Sequence, residues 1–424
     1  MCTTFLTFNL VKFLQKKGYT RLIDYPNLIR LNPNIPWKTR GNAALVIRIE
    51  TNLSKEKLFQ ICKKHVKRFA TSKRANSGLV IFEGETIPKE IVEFSEKALY
   101  KVQSLREAKE IMRDHGVASY SLRSGQGLVG ALAGIGNELK SDHTFELIAY
   151  RKNASLKRQV DKRKIIEMDQ KTKPNTFNNY DEKNNRVLIV PHGKDPVLLG
   201  IRGETPSAVK QAFQMLCPIP NLLGYMVFRS NQGTGEHLKN PICLSSLKAY
   251  TSGFVLGCVS SKPKIEIGGH VFFEISNRDG TIPCAAYEPT GDFRMKVLSL
   301  AVGDMIEVGG GVRKNTSKHS KVLNLEYLIP RKLSSIWIEH NPPCPRCLTT
   351  MSSEGRNQGF QCKKCGFKSS ALERKKERMP RSLESGKLYL PDMKAHRHLT
   401  KPIQRYENRR ENNKTFIKDW MIKK

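Results

Sequence analysis

Cys344-Pro345-Arg346-Cys347, followed after fourteen residues by Cys362-Lys363-Lys364-Cys365-Gly366, decides how the C-terminal part of this chain is built. Two CxxC knuckles at that separation have the spacing of a zinc ribbon. Each pair turns two thiolates inward on a tight loop, and two loops complete a tetrahedral S₄ site. Pro345 and Gly366 suit such turns. The alternative is a set of redox or incidental pairs, but matched knuckles are far more specific than a single CxxC. Zn²⁺ is the expected ion, held by Cys344, Cys347, Cys362 and Cys365 in a small module appended to something larger. Lys363, Lys364 and Lys368 make nucleic acid the expected ligand of that module.

Outward from the ribbon, the preceding segment reads as short strands. Residues 253–259, 264–267, 270–276, 281–287 and 322–328 are separated by Gly, Pro, Asn and Asp turns. Five such strands fit an OB-type barrel and a generic β domain equally well. Behind the ribbon, residues 371–424 carry sixteen Lys/Arg against seven acids, with Tyr389, Tyr406, Phe416 and Trp420 interleaved. Basic plus aromatic is the composition of a nucleic-acid arm, and equally of a solvated tail.

The whole chain is basic. Its 424 residues contain 73 Lys/Arg and 39 Asp/Glu, a formal charge of +34. Such an excess expects a polyanionic partner: nucleic acid first, an anionic membrane surface second. No apolar run reaches the roughly 20 residues of a membrane span. The first fourteen residues are amphipathic and carry no cleavage-type signal. The six cysteines outside the ribbon sit in apolar surroundings and read as buried thiols, which fits a reducing cytoplasm.

Nearer the N-terminus the pattern is α/β. Residues 5–14 repeat at helical spacing, 46–49 and 79–82 read as strands, and 55–69 and 87–104 as helices. Gly125-x-Gly127-x-x-Gly130 then opens an Ala/Leu-rich helix. Its glycines could bring backbone N–H groups to a phosphate, or could serve packing. The loop lacks the preceding strand and distant acid of a dinucleotide site, and the Lys-Ser/Thr of a Walker loop. Lys38-Thr39-Arg40-Gly41-Asn42 is a second, cationic candidate for phosphates, through Lys38 and Arg40. Strands are expected at 145–149, 186–190, 197–201 and 225–228, with one helix at 206–216 and a second within 152–185. That set suits a ferredoxin-like sandwich. Asp142, His143 and Glu146 bring acid and base groups together, and the loops carrying Arg202, Asn231 and Gln232 offer groups suited to RNA. Each of these also reads as ordinary turn chemistry.

Taken in order, these segments resemble the archaeal tRNA agmatidine synthase family, TiaS. The matching runs are Met1-Cys-Thr-Thr-Phe-Leu6, Pro36-Trp-Lys-Thr-Arg-Gly-Asn42, Gly125-Gln-Gly-Leu-Val-Gly-Ala-Leu132 and Asp142-His-Thr-Phe-Glu-Leu-Ile-Ala-Tyr-Arg151. Residues 186–196, Gly200-Ile-Arg-Gly-Glu204 and Asn231-Gln-Gly-Thr234 follow in sequence. The resemblance implies a multidomain α+β fold. Its parts would be a kinase-like domain (1–140), a ferredoxin-like domain (141–240), an OB-fold (250–330), a zinc ribbon (331–370) and a basic helical tail (371–424). It implies an ATP- and Mg²⁺-dependent ligase that joins agmatine to C2 of the wobble cytidine in the isoleucine tRNA with a CAU anticodon. Thr3, with Thr4 as fallback, would be the self-phosphorylated residue. Family members carry a strand and an Ile-Asp-Asp-Thr-Asp loop ahead of the Met-Cys-Thr-Thr segment. Here Met1 is that internal methionine, so the Mg²⁺ ligands are expected to be incomplete and the activity of residues 1–424 low. The alternatives are a tRNA-binding protein without catalysis and an unrelated single-strand binder.

Overall fold

The computed structural model describes residues 2–38, 41–70, 76–315, 320–406 and 415–423. The N-terminal helix α1 (Thr3–Lys16) buries Leu6, Phe8, Leu10, Val11 and Leu14, with Phe8 and Val11 in one cluster and Leu10 and Leu14 in another. Helix α2 (Lys55–Phe69) starts where Ser54 Oγ accepts the Lys57 N–H at 3.3 Å, with Glu56 in its first turn and Lys67 and Arg68 in its last. That charge order suits the helix dipole. The expected helix at 87–104 is shorter, α3 (Lys89–Ala98), and a further helix that the sequence reading did not place, α4 (Leu105–Asp114), follows it. Ser104 starts α4, its Oγ capping the Glu107 N–H at 3.0 Å. The glycine-rich segment is helix α5 (Gly127–Gly136), which packs Leu128 and Leu132 against Ile29, Ile91 and Phe94.

The central sheet contains β1 (Asn27–Arg30), β2 (Ala43–Val46), β3 (Thr144–Arg151), β4 (Thr176–Phe177), β5 (Val197–Gly203) and β6 (Leu222–Ser230). Their order is β2-β1-β6-β3-β5-β4. β1 runs parallel to β6, and the other neighbours are antiparallel. The sheet thus takes strands from both sides of Lys140. β3 is buried at all eight positions, as a central strand covered on both faces must be. Period-two alternation assigns its side chains. Phe145, Leu147 and Ala149 meet helices α6 (Lys162–Thr172) and α7 (Pro206–Leu216). Ile148 and Tyr150 meet Phe8 and Val11 of α1 on the opposite face. The expected strand at 186–190 pairs only at Arg186–Val187.

Residues 252–332 form a five-stranded barrel. Its strands are β7 (Ser252–Val259), β8 (His270–Asn277), β9 (Gly280–Ala286), β10 (Met305–Arg313) and β11 (Val322–Lys332). The order β7-β10-β11-β9-β8 closes through a β7–β8 pairing, and helix α8 (Asp292–Leu298) lies between β9 and β10 in the chain. Lys264–Glu266, expected as a barrel strand, is an addition to the edge of β8. β10 takes its place in the barrel. Its Gly309-Gly310-Gly311 run hides the strand pattern, yet these glycines pack under the Tyr327 ring, the Asn324 backbone and the Asn34 side chain. An exposed two-stranded ladder of β12 (Trp337–His340) and β13 (Lys375–Arg378) then carries the cysteine module.

The tail corrects the expectation of a basic helical arm. Among the described residues beyond 370 there is no α-helix, only short 3₁₀ turns at Met393–Ala395 and Ile403–Arg405. Pro380, Pro391 and Pro402 interrupt any helical run. The apolar side chains are drawn instead onto surfaces already built. Leu383 and Tyr389 join the barrel core, and Phe416 and Trp420 pack on Tyr25 beside the central sheet. The chain finishes as β14 (Met421–Lys423), antiparallel to β6.

Candidate functional site

Three charged residues stand in a row across the central sheet, on the face that α1 covers. Arg30 ends β1, Glu146 lies on β3, and Arg202 lies opposite Glu146 on β5. Arg30 Nη2 is 3.4 Å from Glu146 Oε2, and Arg202 Nε is 3.6 Å from Glu146 Oε1. One carboxylate therefore serves two guanidinium groups. Arg30 is fixed from the β6 side as well. Asn231 Oδ1 accepts its backbone N–H at 2.7 Å, Asn231 Nδ2 donates to its carbonyl at 2.9 Å, and Gln232 Oε1 accepts from its Nε at 3.1 Å. The Asn231 carboxamide thus extends the β1–β6 ladder by one rung.

The two arginines floor a cavity of about 610 Å³, lined also by Lys38 and by Lys394, Arg397 and His398 of the tail. The excess of cations shapes its electrostatics. Burial, helped by neighbouring Arg397, lowers the Lys38 ammonium below its ordinary range. His398 is held well below the ordinary histidine range, first by Arg30, then by burial, Arg202 and Lys38, so its ring is neutral. Arg397 is itself braced by Glu326 of β11 at 3.4 Å, which His237 also contacts at 3.0 Å. A cavity with this surplus of fixed positive charge suits phosphate groups. The N-terminus of α1 belongs to the same face. Thr3 is exposed, and Cys2 Sγ lies 3.2 Å from Thr4 Oγ1.

The residues expected from sequence are only partly brought together. Lys38 and Arg202 line the cavity and Glu146 pairs with Arg202 beside it, while Arg40 lies outside the described residues. Asn231 and Gln232 are buried and hold Arg30. Asp142 lies elsewhere, bound by Arg405 Nη2 at 2.8 Å and Lys401 Nζ at 3.2 Å. His143 is buried with its Nδ1 3.3 Å from the Ser141 carbonyl, and burial with nearby Arg229 lowers it to about 4. Gly125, Gly127 and Gly130 do not line the cavity. A Cβ on Gly127 would press into the Asn76 carbonyl and the Gly78 N–H, whereas one on Gly130 would meet only Leu31 at 3.5 Å. Sequence reading missed Arg30, Arg397 and His398. The charge set within the otherwise apolar Leu28-Ile29-Arg30-Leu31 run, and the His396-Arg397-His398 cluster, were the available signals.

The four cysteine sulfurs lie within 4.8 Å of one another, with Sγ···Sγ separations of 3.5 Å (Cys344–Cys365), 3.4 Å (Cys347–Cys362) and 3.7 Å (Cys347–Cys365). A tetrahedron with Zn–S bonds of about 2.3 Å has edges of roughly 3.8 Å, so the set fits Zn²⁺ with no coordination position left open. Lys363 and Lys364 are exposed beside it.

Comparison with known proteins agrees with this arrangement from end to end. Residues 1–124 match the TiaS TCKD domain, 125–237 the TiaS FLD domain, and 341–383 the TiaS C-terminal zinc ribbon domain. The chain is 40% identical over 411 residues to the tRNA 2-agmatinylcytidine synthetase TiaS of Cenarchaeum symbiosum, covering 96% of this chain and 90% of the relative. A crystal structure of TiaS in complex with its isoleucine tRNA and ATP superposes with a TM-score of 0.85 at 35% identity, covering 97% of this chain and 95% of the other. That of TiaS with the same tRNA, AMPCPP and agmatine gives 0.81 at 33% identity, covering 96% and 94%. With three family models in order along its length and a fold shared almost throughout, the chain belongs to the TiaS family.

Proposed function

We propose that this protein uses ATP to join agmatine to C2 of the wobble cytidine in the isoleucine tRNA with a CAU anticodon, forming agmatidine. Family membership supports the reading, and the cationic cavity at the head of the central sheet is the observation that carries it. The C2 carbonyl oxygen is a poor leaving group until it is phosphorylated. When bound, ATP supplies that phosphoryl group. The primary amine of agmatine then forms the C–N bond as the C–O bond breaks and inorganic phosphate departs with the oxygen. Arg30, Arg202 and Lys38 bind and neutralise the charge on the transferring group, which is the main catalytic need of phosphoryl transfer. Glu146, Asn231 and Gln232 act as positioning residues for the two arginines. Among the described residues the four cysteines are the only group of three or more His, Cys, Asp or Glu side chains close enough to share a metal; Glu146, beside the cavity, is paired with both arginines.

The reading extends to the modules. The succession β3-α6-β4-β5-α7-β6 supports a ferredoxin-like assignment for residues 141–240. The closed barrel supports an OB assignment for 250–330. Residues 1–140 are then the kinase-like part, and Thr3, exposed at the start of α1, is the self-phosphorylated residue. Zn²⁺ is structural, and Lys363 and Lys364 contact tRNA phosphates. The test is direct: incubate the purified protein with ATP, agmatine and the tRNA, then digest the tRNA and identify its nucleosides by mass spectrometry. Slow formation of agmatidine is expected, as the incomplete set of Mg²⁺ ligands implies, with Arg202→Ala slowing it about a further hundredfold. A folded wild-type protein that makes none would sink the reading. An Arg202→Ala variant at full rate would sink the role of the cavity.

A further inference from the structure

The imidazole of His398 and the guanidinium of Arg30 converge over Gly41. A Cβ on Gly41 would lie 2.5 Å from His398 Cδ2, 2.6 Å from Nε2 and 2.7 Å from Arg30 Nη1. The ring therefore stands in the cavity wall against bare backbone, a place that only glycine leaves open. Charged groups reach this part of the cavity from every element around it. Arg30 comes from β1, Lys38 from the loop after it, Arg202 from β5, and Lys394 and Arg397 from the segment of His398 itself. The nearby carboxylates are committed. Glu146 is shared by Arg30 and Arg202, and Glu326 is held by Arg397 and His237. His396, two residues away, bonds the Pro391 carbonyl through Nε2 at 3.0 Å. The His398 ring is thus left neutral among cations, with repulsion from Arg30 as the leading cause and burial, Arg202 and Lys38 behind it.

A phosphate dianion entering the cavity would reverse that field, because the charges that disfavour an imidazolium would then be offset. We propose that His398 takes up one proton from solvent when a phosphate-bearing ligand occupies the cavity, and gives it back when the phosphate leaves. One N–H bond forms on the ring, the proton comes from the buffer, and no other bond changes. In the occupied state the ring is a donor to a phosphate oxygen; in the free state it is not charged. The inference rests on the reading of the cavity as the nucleotide-phosphate site. Its sign follows from linkage. The ring titrates at higher pH with phosphate bound than without, so affinity is flat above the bound value. Below it, affinity rises by up to about tenfold per pH unit until the free value is reached.

Titration calorimetry with ATP at pH 6.5, in buffers of different ionisation heat, reads the protons taken up on binding. His398→Gln provides the reference, because the γ-phosphate titrates equally in both proteins. The wild type is expected to take up more protons than the variant, and its affinity advantage to grow as the pH falls. Equal uptake by the two proteins overturns the proposal. Ring ¹⁵N spectra of wild-type protein answer independently of how well the variant folds: one neutral histidine should become imidazolium when ATP is added, and none doing so overturns the proposal. Lys38→Ala and Arg202→Ala separate the two levels. If both bind ATP like the wild type, the cavity reading itself fails. If both lose ATP while His398→Gln matches the wild type in proton uptake, only the role of His398 falls.

Discussion

Arg405 and Asp142 form a buried ion pair, Nη2 to Oδ1 at 2.8 Å, between residues 263 positions apart in the chain. Arg405 has no exposed side-chain surface, and its Nε reaches Glu204 Oε1 at 2.6 Å. The acid and base cluster at Asp142-His143 is therefore the dock for the tail, and the tail is what walls the cavity.

Breaking that dock should be costly. Arg405→Ala leaves Asp142 and Glu204 buried with one partner fewer, and a loss of about 3–5 kcal/mol is expected. Asp142→Ala should behave alike, and the double variant should cost less than the sum of the two. Urea denaturation of the three variants measures this. A loss under about 1 kcal/mol in both single variants would show that the pair adds little to folding.

The glycine loop separates packing from phosphate binding. Gly127→Ala forces a methyl into the backbone at Asn76 and Gly78 and comes within 2.7 Å of the Ser77 carbonyl carbon. A loss of about 1–3 kcal/mol or more is expected. Gly130→Ala has room and should be neutral or stabilising by up to about 1 kcal/mol. Thermal unfolding of the two variants decides the matter, and the reverse order would count against the packing role.

Acid sensitivity has a definite window. His143 moves from 6.5 to about 4 on folding, with burial as the leading cause and Arg229 behind it. Between those values the unfolded chain binds the extra proton, so stability falls as the pH drops from about 6.5 to about 4. The expected loss is about 3 kcal/mol. Glu326 adds a second, lower window. Burial opposes its charge, but Arg397 and His237 hold it at about 2 against an ordinary 4.5, so its contribution is lost as the pH falls from 4.5 towards 2. Denaturation at a series of pH values should show the first slope in wild type and a flatter one in His143→Gln. Identical slopes would refute the assignment to His143.

Zinc removal should be local. Chelation, or Cys344→Ser with Cys362→Ser, is expected to unfold the cysteine module and weaken tRNA binding while leaving ATP binding intact. Lys363→Glu with Lys364→Glu should keep the zinc and lower the salt slope of tRNA binding by about one per lost phosphate contact. Filter binding across a salt series distinguishes the two. An unchanged slope would remove both lysines from the interface.

What the sequence disclosed depended on the range of the interaction. The zinc site was legible because four ligands lie within 22 residues and the metal dictates their spacing. Helices α2 and α7 were legible because their caps, Ser54 and Thr205, sit beside them. β10 was hidden because its three glycines answer to distant neighbours, Tyr327 and Asn324 on β11 and Asn34 in a turn, which local pattern does not reveal. The cavity was hidden for the same reason at larger scale. Arg30, Arg202 and His398 come from distant parts of the chain, and only the sheet order and the returning tail unite them. Asp142 looked catalytic because its partner, Arg405, lies in a segment whose composition suggested an arm for RNA.

The returning tail also orders events during synthesis. A ribosome adding about 5–20 residues per second completes Arg30 roughly 20 to 70 seconds before it reaches His398. From the completion of Ser230 until the tail emerges, the nascent protein has the strands that carry Arg30, Glu146 and Arg202 but no wall for the cavity, and Asp142 waits without Arg405. The enclosed cavity is therefore among the last things this protein makes, and a message cut short before residue 393 yields a product that can present the cysteine module but not that cavity.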